Sequence, residues 1–303
     1  MSKIILVVGA TASGKSQVGI NLAKRFGGEI VSCDSMQIYK DMNIGTAKVA
    51  PYEMQGIPHY MIDVVSADGN FSVGEYSNMA NSIITDILSR GKTPIIVGGT
   101  GLYVDSILYP MTFGGDKDVQ IRQELEDELA LYGKEYMHSL LAKIDPEDAE
   151  KIHPNNIKRV LRALEIYRAT GNCKSNLQEK SKDLKYEACM IALNLDRTLL
   201  YDRINARVDK MMEMGLLKEI EELLSKGVDF ENQSMQAIGY KEFKEFVRGE
   251  VSLEKTIETI KQNSRNYAKR QLTWFKKYDF AKWYSPSDSV EIENEVKEFL
   301  EGV

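Results

Sequence analysis

The chain has 303 residues, 43% hydrophobic and 28% charged, with three cysteines and a formal net charge of −6. That composition is ordinary for a globular protein of one large domain or two smaller ones. No apolar run reaches membrane-spanning length and the N-terminus lacks signal-peptide architecture, so a cytoplasmic location is expected. Cys33, Cys173 and Cys189 are isolated from one another, form no C-x-x-C pair or zinc set, and read as reduced thiols. The acidic balance argues against a nucleic-acid partner spread over the whole surface. Distribution matters more than the sum, and positive charge clusters late in the chain.

The apolar run from Ile4 to Val8 reads as a first strand. Gly9, Ala10, Thr11, Ala12, Ser13, Gly14, Lys15 and Ser16 follow it as G-x-x-x-x-G-K-S, and a helical pattern runs from Ser16 to Arg25. Strand, glycine loop and helix together form a phosphate cradle: backbone N–H groups face phosphate oxygens and Lys15 adds a full charge. In that reading Ser16 ligates Mg²⁺. Glu29 to Cys33 is a second strand and Tyr60 to Val64 a third. Val73 to Ser89 is a helix with Ser72 as its N-cap, and Pro94 to Val97 is another buried strand. The alternation predicts an α/β fold, a P-loop parallel sheet flanked by helices. Ligands then bind beyond the carboxyl ends of the strands, where the phosphate loop, Asp34-Ser35 and Gly98-Gly99-Thr100-Gly101 fall.

The pattern changes near residues 111–115. Arg122 to Leu131 and Asn156 to Ala169 read as helices, Lys174 to Lys185 as a polar linker, and Cys189 to Leu193 as a strand returning to the sheet. The expected organisation is a core of residues 1–112 and 186–303, with an inserted all-helical domain at 113–185. The tail after the returning strand reads as mostly helical. Met211, Met212 and Met214 read as core filling.

Asp34, directly after the second strand, suits a Mg²⁺ ligand or a proton acceptor; a turn or helix-cap aspartate is the plain alternative. A ribose contact is excluded because the loop lacks G-x-G-x-x-G. The fourth strand ends in Gly-Gly-Thr where nucleotide-hydrolysing P-loop proteins commonly carry an aspartate, and Thr100 offers a hydroxyl there. Arg203 and Arg207 share a helix face and suit a pyrophosphate, or form a solvated pair with Asp202 or Asp209. Lys158, Arg159, Arg162 and Arg168 form one basic cluster. Lys261, Arg265, Lys269, Arg270, Lys276 and Lys277, interleaved with Tyr267, Trp274 and Phe275, form another. These fit an RNA-binding surface or simply solvated helix faces.

Several segments together resemble the bacterial tRNA dimethylallyltransferases, also called tRNA isopentenyltransferases. They are GATASGKS from Gly9, DSMQIYKDMNIGTAK from Asp34, HYMIDV from His59, VGGTGLY from Val97, HPNNIKRVLRALE from His153, RINARVDKMMEMG from Arg203, QAIGYKE from Gln236 and YAKRQLTW from Tyr267. Val49 stands where proline often follows G-T-A-K, and Cys33 where a small aliphatic is commoner. The zinc module of eukaryotic members is absent.

The resemblance implies transfer of a dimethylallyl group from dimethylallyl diphosphate to the N6 amine of the adenine adjacent to the anticodon. The diphosphate would lie in the loop from Gly9 to Ser16 with Mg²⁺. Lys15 and Arg203 would stabilise it as it leaves, with Arg207 the second choice, and Asp34 would take the amine proton. Thr100 would join Asp34 and Arg203 in catalysis. Asp34, Ser35, Met36, Gln37, Thr100, Lys158, Arg159, Arg162, Gln236, Lys269 and Arg270 would contact the tRNA anticodon arm. The family suggests a monomer. A P-loop kinase of a nucleotide or small metabolite is the rival; it leaves Asp34-Ser35-Met36-Gln37 and the basic tail unexplained. A noncatalytic GTPase-like RNA binder would need a guanine-specificity motif such as N-K-x-D, which is missing.

Overall fold

A computed structural model of the chain describes residues 1–111, 119–177 and 183–302. They form two compact units, Met1–Leu108 with Lys185–Val303, and Tyr109–Leu184.

The first unit is built on a six-stranded sheet, β1 (Lys3–Gly9), β2 (Gly28–Cys33), β3 (His59–Tyr60), β4 (Thr93–Gly98), β5 (Glu187–Leu193) and β6 (Ala281–Tyr284). The strand order is β3-β2-β4-β1-β5-β6 and every pairing is parallel. β1 lies at the centre, with Ile5 opposite Ile95 on one side and Cys189 on the other. Its residues Ile4 to Val8 are fully buried, which is why they read as one continuous apolar run. The helices of this unit are α1 (Lys15–Phe26), α2 (Val73–Ser89) and α3 (Gly101–Leu108), and beyond the second unit α8 (Arg197–Glu213), α9 (Leu216–Ser225), α10 (Phe243–Val247), α11 (Leu253–Phe275) and α12 (Ser289–Glu301).

One core layer joins Ile5, Val7, Ile95, Val97, Ile191 and Leu193 of the sheet to Val18 and Leu22 of α1 and Ile292 and Val296 of α12. Burying each such side chain contributes about 1.5–3 kcal/mol. A second cluster sets Ala10 against Leu200 and Ile204 of α8 and Ala268 of α11. Ser72 caps α2 in a reciprocal capping box with Glu75. Its buried face is Tyr76, Ala80, Ile84 and Ile87, while Met79 is exposed.

The second unit holds α4 (Val119–Ile144), α5 (Pro146–Lys151), α6 (Ile157–Thr170) and α7 (Lys174–Leu177), with no strand among its described residues. Leu125, Met137, Leu141, Ile152, Val160 and Leu164 form its core. α4 is broken at Gly133, whose φ of 82° leaves the helical region. Lys174 pairs with the buried carboxylate of Asp148 at 2.7 Å. A linker reading for 174–185 therefore fails at its start; residues 178–182 lie outside the described residues. Two further sequence expectations change. The third strand shrinks to His59–Tyr60, and the tail contributes a strand, β6, which pairs Ala192 with Trp283.

Candidate active site

The phosphate loop leaves β1 and curls before α1. Ala12 at φ 61° and Gly14 at φ 93° sit in the left-handed region, which turns successive N–H groups toward one concavity. Gly14 is the N-cap of α1 with no side-chain cap, so the first-turn donors and the positive helix end are left for a ligand. Lys15 folds back so that Nζ donates to the Ala10 carbonyl at 2.5 Å. Burial first, and then the charge of Arg207, push the Lys15 ammonium down to about 7, against a smaller upward pull from Asp34. A bound anion would favour the charged form of Lys15 and reverse that shift.

Asp34 follows β2. Its Oδ1 accepts from the backbone N–H of Met36 at 2.8 Å and of Gln37 at 3.3 Å, forming a turn within D-S-M-Q. Thr100 straddles it: the Thr100 N–H donates to the Cys33 carbonyl at 3.1 Å, and its Oγ1 accepts from the Ser35 N–H at 3.1 Å. Gln37 spends its amide on the carbonyls of Thr46 and Ala47. Glu219 of α9 closes the far side of this segment, accepting from the N–H groups of Asn43, Ile44 and Gly45 and from the Tyr240 hydroxyl.

Two cavities open here, both lined by the first unit alone. One, of about 480 Å³, is polar and runs along the phosphate loop past Lys15, Ser16, Gln37, Glu53 and Gly99. The other, of about 310 Å³, is walled by Ile204, Val208, Met211, Ile238 and Ile260, with Ser35, Met36, Gln236 and Arg270. Thr11, Asp34, Thr46, Ala47, Arg207 and Tyr267 line both and so mark their common boundary. Burial, then the Asp34 charge, push the Tyr267 phenol up to about 12, so it stays neutral at that boundary.

Several expected site residues take different places. Arg207 donates to the Thr11 hydroxyl at 3.2 Å and lines both cavities, whereas Arg203 lines neither. Thr100 also lines neither and braces the Asp34 turn instead. Met211 faces the apolar cavity and Met214 is exposed, so the methionine run is not core filling throughout. Gln271 and Glu219 carry much of the local geometry and escaped the sequence reading. The one signal for Gln271 was its place inside YAKRQLTW.

The basic residues divide in the same way. In the second unit, Lys158 and Arg159 are exposed, but Arg162 meets the buried Glu165 at 2.7 Å and Arg168 meets Glu128 at 2.8 Å. In the first unit, Lys261 is bridged to Asp209 and Glu258, and Arg265 donates to Asn205. Lys269 and Arg270 are exposed, their cations over the rings of Tyr201 and Tyr267. Phe275 is fully buried, so it cannot stack on a base.

The family model described as IPP transferase matches residues 37–278. A tRNA dimethylallyltransferase of Thermoanaerobacter sp. (strain X514) is 51% identical over 94% of this chain and 92% of its own. A crystal structure of the full-length tRNA isopentenylpyrophosphate transferase of Bacillus halodurans aligns with a TM-score of 0.75 at 43% identity, covering 100% of this chain and 98% of that one. A eukaryotic dimethylallyltransferase caught acting on tRNA aligns with a TM-score of 0.78 at 35% identity, covering 90% of this chain and 70% of that one.

Proposed function

This chain belongs to the IPP transferase family, and we propose that it transfers the dimethylallyl group of dimethylallyl diphosphate to the N6 amine of the adenine adjacent 3′ to the anticodon of a tRNA. The observation that carries the reading is the pair of cavities, one built for a diphosphate and one apolar enough for a base or prenyl group, meeting at Asp34.

The diphosphate occupies the concavity of residues 9–16. Lys15, the first-turn N–H groups of α1 and Arg207 face it. The adenine amine attacks the allylic carbon; the new N–C bond forms as the C–O bond to diphosphate breaks. Asp34 takes the amine proton, its carboxyl group oriented by the Met36 and Gln37 N–H groups. Positive charge fixed beforehand around the leaving group stabilises the transition state more than the ground state, because the negative charge on that oxygen grows only as the bond breaks. Arg207 takes the role the sequence assigned to Arg203, because it touches Thr11.

Mg²⁺ fits the oxygens present. Ser16 lines the polar cavity and would hold the ion, and no group of three acidic, His or Cys side chains exists among the described residues to form a full protein cage. A small hard cation held by one or two protein oxygens and completed by phosphate and water suits that set. When bound it adds neutralising charge to the leaving diphosphate. A monomer, as the family resemblance implies, is the working form of this reading. A tRNA substrate places the reaction in the cytoplasm; among the described residues no helix is long and apolar enough to cross a membrane. Lys158 and Arg159 of the helical unit, with Lys269 and Arg270 of α11, meet RNA phosphates. Ser35, Met36 and Gln236 border the cavity that takes the base.

The test is incubation with unmodified tRNA, dimethylallyl diphosphate and Mg²⁺, followed by nucleoside mass spectrometry. A prenylated adenosine that Asp34→Asn slows about a hundredfold or more, with tRNA affinity kept, supports the reading. Turnover of ATP with a small acceptor, and untouched tRNA, overturns it in favour of a kinase.

A further inference from the structure

We propose that Gln271 is a positioning residue for this transfer, locking the phosphate loop to the strand-end loop that braces Asp34; the proposal rests on the function given above. Gln271 lies on α11 and is 6% exposed. Its Oε1 accepts from the Thr11 N–H at 2.8 Å and its Nε2 donates to the Gly99 carbonyl at 3.0 Å. One side chain therefore bridges segments far apart in sequence, and it does so with a donor and an acceptor at once. Of the genetically encoded side chains of this length, only the amide offers both.

The fit is tight. A Cβ on Gly99 would stand 2.1 Å from Gln271 Nε2, and one on Gly101 would stand 2.3 Å from Trp274 Cδ1. Two glycines of Gly-Gly-Thr-Gly thus admit two residues of the same helix. The two sequence segments VGGTGLY and YAKRQLTW interlock in the fold. Tyr267, one turn earlier on α11, reaches the boundary of both cavities.

The consequence for chemistry follows from what each end holds. On one side the Thr11 N–H is committed to Gln271, so Thr11 offers the ligand its hydroxyl, the group that Arg207 grips. On the other side, fixing the Gly99 carbonyl fixes the next residue, Thr100, whose two hydrogen bonds flank Asp34. Gln271 sets the spacing between the leaving-group site and the proton acceptor. In reactions of this kind a misplacement of about 1 Å costs on the order of a hundredfold in rate.

A simple core plug would also be buried and hydrogen-bonded, so the test must separate the two roles. Gln271→Met removes both hydrogen bonds; Gln271→Glu keeps the acceptor for Thr11 and donates to Gly99 only as the protonated acid. Each is made in the full chain, alone and with Thr11→Ala. Single-turnover prenylation is measured at saturating dimethylallyl diphosphate, scaled to the folded fraction from thermal unfolding, with tRNA affinity beside it. The expected result is a rate loss of at least tenfold per folded enzyme for Gln271→Met, a smaller loss for Gln271→Glu, and tRNA affinity within about threefold. Thr11→Ala keeps the N–H that Gln271 holds, so in that background the Gln271→Met loss persists at about tenfold or more. A normal rate per folded enzyme, or a Gln271→Met loss that Thr11→Ala abolishes, overturns the positioning role. Absence of transfer by the unsubstituted enzyme overturns the function itself, a different outcome.

Discussion

The guanidinium of Arg207 donates to the hydroxyl of Thr11 at 3.2 Å, across 196 positions of sequence. The contact joins α8 to the phosphate loop and is the ground on which we propose that Arg207, rather than its neighbour Arg203, meets the diphosphate. Arg207→Ala should lower kcat/KM for dimethylallyl diphosphate by about 100–1000-fold, the cost of removing one preorganised donor to a developing anion. Arg203→Ala should stay within about threefold. Steady-state kinetics with the donor varied at saturating tRNA distinguishes them, and the opposite ranking would return the role to Arg203.

Helix spacing put both arginines on one face but could not give the rotation of that face against the sheet. Rotation is fixed by Leu200, Ile204 and Val208 turning inward, and the buried partners of those residues come from elsewhere in the chain. The phosphate loop and Asp34 were legible because a turn and the strand before it are local. Gln271 and Glu219 were not, since a glutamine or glutamate on a helix reads as a solvated residue until the backbone it satisfies is brought to it. Arg162 was half legible: Glu165 stands three residues on, a spacing at which such pairs meet. β6, at four residues, is too short for periodicity to mark against the helices around it.

Lys15 gives a pH dependence with a definite sign. In the free enzyme it titrates at about 7, and a bound diphosphate raises that value. Below about pH 7 the lysine is already charged and binding is at full strength. Above it, each binding event must also take up a proton, so affinity falls as pH rises toward the pKa of the complex, by up to about tenfold per unit. Calorimetry of inorganic diphosphate in buffers of different ionisation enthalpy should show proton uptake by Lys15 that grows as the pH rises through about 7. Lys15→Met supplies the baseline, because its profile contains only the ligand's own titration. Identical proton uptake by the two proteins would remove Lys15 from the linkage.

Glu219 makes a prediction about stability. It accepts from three backbone N–H groups and from Tyr240, and Tyr240 is itself fully buried. Glu219→Ala strands four donors and should cost about 3–5 kcal/mol, the scale for breaking a buried charged network. Tyr240→Phe removes one donor of the four and should cost about 1 kcal/mol. Urea unfolding followed by tryptophan fluorescence measures both. Equal losses would mean that the tyrosine, rather than the backbone of residues 43–45, is the partner that matters.

We expect the cations of the helical unit to divide between RNA and the unit itself, and salt dependence separates the two uses. Lys158 and Arg159 are exposed on α6 and carry no ion pair with a carboxylate among the described residues. Each phosphate they meet releases condensed counterions, so each lost contact should flatten the log–log salt dependence of tRNA affinity by roughly one unit. The Lys158→Ala, Arg159→Ala double variant should therefore lose about two units of slope, with diphosphate affinity unchanged, since every residue lining the phosphate cavity lies in the other unit. Arg162 behaves differently. Its guanidinium holds the carboxylate of Glu165, which is 1% exposed, and Arg122 approaches the same carboxylate at 3.7 Å. Arg162→Ala should leave a buried charge short of a partner and lower the thermal stability of the helical unit, while changing the salt slope by much less than one unit. A full unit of slope lost with Arg162 would show that it leaves Glu165 for the RNA. No change with Lys158 and Arg159 would make them a solvated face and leave Lys269 and Arg270 to hold the RNA.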